Sequence, residues 1–183
     1  CTTVEKPTTP APVEEVSLQP FLDAGCEQST KTLRCTGVEF TTRYNCYDTL
    51  YIPDNGMDLG LPLVRCSSLV YSQSEQLISQ EEQKDYFGCG GGSLVTCISY
   101  ITYKDNYFIQ VKNKEELLSH IGAIDSEDKA LALVLLSEGG SEELIGNEEK
   151  ISERNVEVVG QNFFVTVYAP DRVFGCYDEI NYE

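Results

Sequence analysis

The chain has no tryptophan, a single histidine and a single methionine. One imidazole sharply limits nucleophilic chemistry, because a Cys–His pair or a Ser-His-Asp triad would have to be built on His120. No Gly-x-Ser-x-Gly elbow exists, and Ser93, directly after a run of glycines, has no motif around it. Basic residues are few, with 13 Lys and Arg against 30 Asp and Glu, a net charge of −17. That balance argues against a nucleic-acid partner, since phosphate neutralisation needs clustered cations. It argues equally against docking the folded surface on an anionic bilayer. No apolar run reaches membrane-spanning length; the longest, ALALVLL at 130–136, suits a buried helix. Neither CxxC nor CxxCH occurs, so zinc-ribbon, iron–sulfur and haem-attachment spacings are missing, and no metal or cofactor is expected. An Asn-x-Ser/Thr sequon is also lacking.

Cysteine, by contrast, is abundant. Eight in 183 residues, at 1, 26, 35, 46, 66, 89, 97 and 176, indicate an oxidising compartment and disulfides. Spacing alone does not fix their connectivity. Neighbour pairing would join Cys26–Cys35, Cys46–Cys66 and Cys89–Cys97 and leave Cys176 as the unpaired or intermolecular candidate. Each bridge would contribute roughly 2–4 kcal/mol by restricting the unfolded chain. An apolar fraction of 41% provides for a real core.

Composition divides the chain at 1–20, 21–97 and 98–183. The first stretch is an extended arm with Pro7, Pro10, Pro12 and Pro20. The second is a cysteine-rich, mostly β segment, in which VEFTTRYNCY, TLYI and LPLVRCSSLVY read as strands divided by turn signals. SQSEQLISQEEQKD reads as an amphipathic helix or a surface loop. The third is easier to assign. SLVTCISYITY and NYFIQV flank a turn at Lys104–Asp105, and Lys114 to His120 is a short helix. DSEDKALALVLLSE follows as a second helix, with Asp125 as cap and Gly139–Gly140 as its end. NVEVV and FFVTVYA form a hairpin around 160–162, and VFGCYDEINYE starts a last strand. The second and third segments are expected to form one continuous unit of α+β class: an antiparallel sheet with two or three helices on one face, hardened by disulfides.

Two features carry resemblances. Cys1, followed by the Pro- and Thr-rich arm, resembles the start of a processed prokaryotic lipoprotein. This implies lipid on the Cys1 thiol and a flexible tether to an extracytoplasmic, envelope-anchored fold. It leaves an odd number of cysteines, and an ordered arm would imply a protein partner or self-assembly. The series FIQVKNKEELLSHIGAIDSEDKALALVLLSEGG, VEVVGQNFFVTVYA and FGC is similar to uncharacterised secreted and lipid-anchored bacterial proteins, a resemblance that supplies a fold pattern and no activity.

Other readings compete for the same residues. PDNGMD offers Asp54, Asn55 and Asp58 as oxygen ligands at calcium-like spacing but lacks the rest of an EF-hand loop, so a β-turn is expected. The acidic run EGGSEELIGNEEKISE at 138–153 reads as a solvated face. Eleven tyrosines place Tyr100, Tyr103 and Tyr107 on one hairpin, where rings sharing a sheet face would make a ligand-binding platform. The expectation is a non-catalytic, lipid-anchored accessory or structural component of a surface assembly. A soluble-ligand or glycan-binding module on a Tyr-rich sheet is the alternative.

Overall fold

Residues 95–104 (VTCISYITYK) are a near-continuous run of β-branched, aromatic and small side chains, a pattern that suits a strand covered on both sides. In the computed structural model they form the central strand of the main sheet. The structure describes residues 16–53, 56–72, 75–76, 79–90, 95–138, 153–159 and 162–168. In chain order the elements are α1 (Gln19–Asp23), β1 (Glu27–Gln28), β2 (Thr32–Arg34), α2 (Glu39–Arg43), β3 (Thr49–Tyr51), a 3-10 turn (Gly56–Leu59), β4 (Leu63–Ser72), β5 (Glu75–Gln76) and α3 (Gln80–Gln83). They continue as β6 (Gly88–Gly90), β7 (Val95–Lys104), β8 (Tyr107–Val111), α4 (Lys114–Ile121), α5 (Glu127–Glu138), β9 (Glu153–Val159) and β10 (Asn162–Tyr168). The main sheet runs β1-β2-β3-β4-β7-β6, with β8 also on β7 and β5 on β4, while β9 and β10 form a separate two-stranded sheet. The fold is α+β, with antiparallel strands.

Register sorts the core. Leu63 and Tyr100 point to one face of the sheet, where they meet Val111 of β8, Leu117 and Ile121 of α4, Leu133 and Leu136 of α5, and Val165 of β10. Val64, Cys66 and Ile101, one residue out of phase, point to the opposite face. There α1 and α2 supply Phe21 and Phe40, which pack on Phe108 at centroid distances of 5.1 and 4.3 Å. The two longer helices therefore cover one face, and short helical turns close the other. A one-residue slip would exchange the two sets, which is why the pairing is well specified.

Several local expectations are corrected. The stretch VEFTTRYNCY was expected as a strand, but Glu39–Arg43 is helical. Burial of Phe40 and the Thr41 hydroxyl, which donates to the Val38 carbonyl at 2.7 Å, override β-branched propensity. The β7–β8 turn is Asp105–Asn106, one residue later than read from sequence. Both residues have positive φ, 53° and 66°, the conformation that a two-residue hairpin loop of the primed type needs. Ser126, not Asp125, caps α5: its hydroxyl accepts from Lys129 N–H at 3.3 Å, while Asp125 pairs with the Lys129 ammonium at 2.9 Å. Among the described residues of the polar stretch before β6, Glu75–Gln76 form β5 and Gln80–Gln83 form the four-residue α3, started by a Ser79–Glu82 capping box.

Three disulfides join sequence neighbours. Cys26–Cys35 closes the β1–β2 hairpin one step beyond the Glu27–Arg34 pair. Cys46–Cys66 ties the chain after α2 to β4, with Cα atoms 5.4 Å apart. Cys89–Cys97 joins directly opposed residues of β6 and β7. Cys1 and Cys176 lie outside the described residues, as do most of the arm, Ser93, Asp54, Asn55, most of the acidic run, Gly139–Gly140 and the expected final strand.

Candidate functional site

The three hairpin tyrosines do not share a surface. Tyr100 stands on the helix-covered face, 1% exposed, and its hydroxyl donates to the Leu136 carbonyl of α5 at 3.0 Å. Burial pushes its phenol far above the ordinary range, so it is a neutral donor inside the core. Tyr103, three residues on, falls on the other face and packs on Phe108 at 5.0 Å. Tyr107 is exposed, next to the turn. Strand alternation separates the first two, and the hairpin end takes the third away from both.

His120 lies in the last turn of α4, where its backbone carbonyl accepts from the Lys104 ammonium at 3.3 Å. Among the described residues no three His, Cys, Asp or Glu side chains converge as a metal site. Asp58, in the 3-10 turn, has its carboxyl raised above the ordinary range, first by burial and then by the charge of Asp128.

A different group is brought together on β2, β3 and β4. Tyr51 pairs in register with Thr32 on one side and Arg65 on the other, and Thr49 pairs with Arg34. Alternation puts Thr49 and Tyr51 outward and Leu50 inward, where it is fully buried. The Tyr51 ring lies 5.9 Å from the Arg65 guanidinium carbon, a cation–π arrangement. Arg65 is 7% exposed, whereas Tyr51 is 46% exposed, so the guanidinium lies beneath the ring while nearly half of the tyrosine remains open to solvent. Tyr47, whose N–H donates to the Ser67 carbonyl at 3.0 Å, adds a second half-exposed ring at the end of this surface. The basic side chain of Arg34 is exposed beside it. Sequence reading missed this surface. Its signal was the alternation in YDTLY, Tyr and Thr outward around an inward Leu, which the cysteine beside it overshadowed.

The chain matches no protein-family model, no curated protein and no solved structure. Three disulfides among the described residues indicate an oxidising, extracytoplasmic compartment. Among the described residues no helix is long and apolar enough to cross a membrane.

Proposed function

We propose that this protein is a non-catalytic, extracytoplasmic accessory or structural component of a cell-surface or membrane-associated assembly. In this reading it meets its partner through the outward face of β2 and β3. The observation that carries the reading is Tyr51, held on the Arg65 guanidinium with much of its surface open. A half-exposed tyrosine on an immobilised base is a low-entropy contact of the kind that dominates binding surfaces. The strand pair beneath it is tied down by Cys26–Cys35 on one flank and Cys46–Cys66 on the other. Anchoring through lipid on Cys1 belongs to the same proposal, supported by the Pro- and Thr-rich composition that follows it. The net charge of −17 would then keep the folded surface off an anionic bilayer.

A photo-reactive phenylalanine analogue at position 51, with one at exposed Glu115 on α4 as control, tests this in the native envelope. The expected result is one discrete protein adduct from position 51 and none from 115, in membrane material whose intact mass carries acyl chains on Cys1. Equal, diffuse adducts from both positions would remove the surface from the proposal, and a bare polypeptide mass would remove the anchor. A glycan or soluble ligand stacked on the open side of Tyr51 is the second reading. It predicts no protein adduct from position 51 and a covalent adduct to added oligosaccharide there, absent from position 115.

A further inference from the structure

The three disulfides differ in how a reagent in solution can reach them. Cys26 and Cys35 are both buried, at 6% and 0% exposure, and Cys66 is fully buried, with Cys46 half-covered beside it. Cys97 is fully buried too, but its partner Cys89 is exposed. Cys89 sits in β6, a three-residue strand at the sheet edge, between Gly88 and Gly90. Neither neighbour has a side chain to screen the sulfur, and a Cβ placed on Gly90 would meet nothing within 4 Å. The Cys89 sulfur lies 3.3 Å from the Gln83 carbonyl oxygen. That oxygen can accept a hydrogen bond from a Cys89 thiol once the bridge is open.

We infer that Cys89–Cys97 is a thiol–disulfide exchange site, open to a dithiol reductant and attacked at Cys89. The thiolate of the dithiol attacks Cys89 Sγ, forming a mixed disulfide, and the S–S bond breaks with its electron pair going to Cys97 Sγ, which takes a proton from water. The second thiol of the dithiol then attacks the reductant's own sulfur. Cys89 is released and protonated, and the reductant is left as its internal disulfide. In net terms the reductant loses two electrons and two protons, and the protein gains two thiols. Attack at Cys97 is blocked because β6 and the sheet cover it. The structural consequence is confined to the edge: β6 loses its covalent link to β7, and the backbone of Thr96 to Ile98 that faces β6 becomes open to other pairing. Phe87, packed edge-on against Tyr100 at 4.9 Å, keeps the preceding chain attached.

Limited reduction of the full chain tests this without a variant. Native protein is treated with increasing dithiothreitol and quenched with an alkylating agent, and each cysteine peptide is quantified above an unreduced control. Cys89 and Cys97 should be labelled together, at least about tenfold faster than Cys26, Cys35, Cys46 and Cys66. Bridges that open together, or Cys46–Cys66 or Cys26–Cys35 opening first, would overturn the assignment. Single replacements fix the direction of attack. In Cys97→Ser, Cys89 should form a mixed disulfide with glutathione disulfide, whereas in Cys89→Ser the folded protein should leave Cys97 unlabelled. Equal reactivity of the two remaining thiols would overturn attack at Cys89.

Discussion

Where the 3-10 turn meets the start of α5, the carboxyl of Asp58 lies near the like charge of Asp128. Asp58 responds, held above its ordinary range by burial and then by Asp128. A carboxyl raised in the folded state makes its ionisation a cost to folding, so the sign is the reverse of a salt-bridged acid. The cost is absent while Asp58 is protonated in both states and is complete once pH exceeds its raised folded value. Asp58→Asn should therefore raise the melting temperature at pH 7, with the difference shrinking to nothing below ~pH 4. Melting curves across pH check this, and a difference that persists undiminished in acid would contradict it. No sequence pattern announced this pair, since 70 residues separate Asp58 from Asp128. Tyrosine placement was similarly hidden. That Tyr100 and Tyr103 oppose one another follows from alternation alone, but which one faces the helices depends on the packing of α5, where Leu136 receives the buried hydroxyl.

Among the elements, α5 gives the sharpest test, because two adjacent residues compete for the role of cap. The Ser126 hydroxyl takes a backbone N–H of the first turn, while the exposed carboxylate of Asp125 holds the partly covered Lys129 side chain in an ion pair. Removing an N-cap costs about 1 kcal/mol, and an i,i+4 pair is worth a few tenths. Ser126→Ala should therefore lower the unfolding free energy in denaturant by about 1 kcal/mol, and Asp125→Ala by clearly less. The reverse order would return the cap to Asp125. The existence of this helix was legible in ALALVLL and the Asp-Ser-Glu-Asp start. Its first residue was not, because both Asp and Ser are good caps and only the fold decides between them. The β7–β8 and β9–β10 hairpins were legible for the same reason: long β-branched and aromatic runs separated by short polar turns. The helical turn α2 was not, since its sequence suits a strand and its conformation is imposed by Phe40 packing between Phe21 and Phe108.

At the scale of the whole molecule, cysteine abundance made the compartment legible, while the surface around Tyr51 required the register of three strands that are distant in sequence. The three disulfides among the described residues join cysteines close in sequence, with separations of 9, 20 and 8 residues. They staple hairpins and local turns and leave the long-range contact of helices on sheet to apolar packing. That packing is split by the sheet into two sets on opposite faces, one around Leu133 and one around Phe21. Damage on one face should then be invisible to the other. Phe21→Leu and Leu133→Val, combined in one chain, should lower the unfolding free energy by the sum of their separate effects to within about 0.5 kcal/mol. A coupling above about 1 kcal/mol, measured by a double-mutant cycle, would show that strain crosses the strands. If the two sets are independent, this protein can evolve either side of its sheet without renegotiating the other.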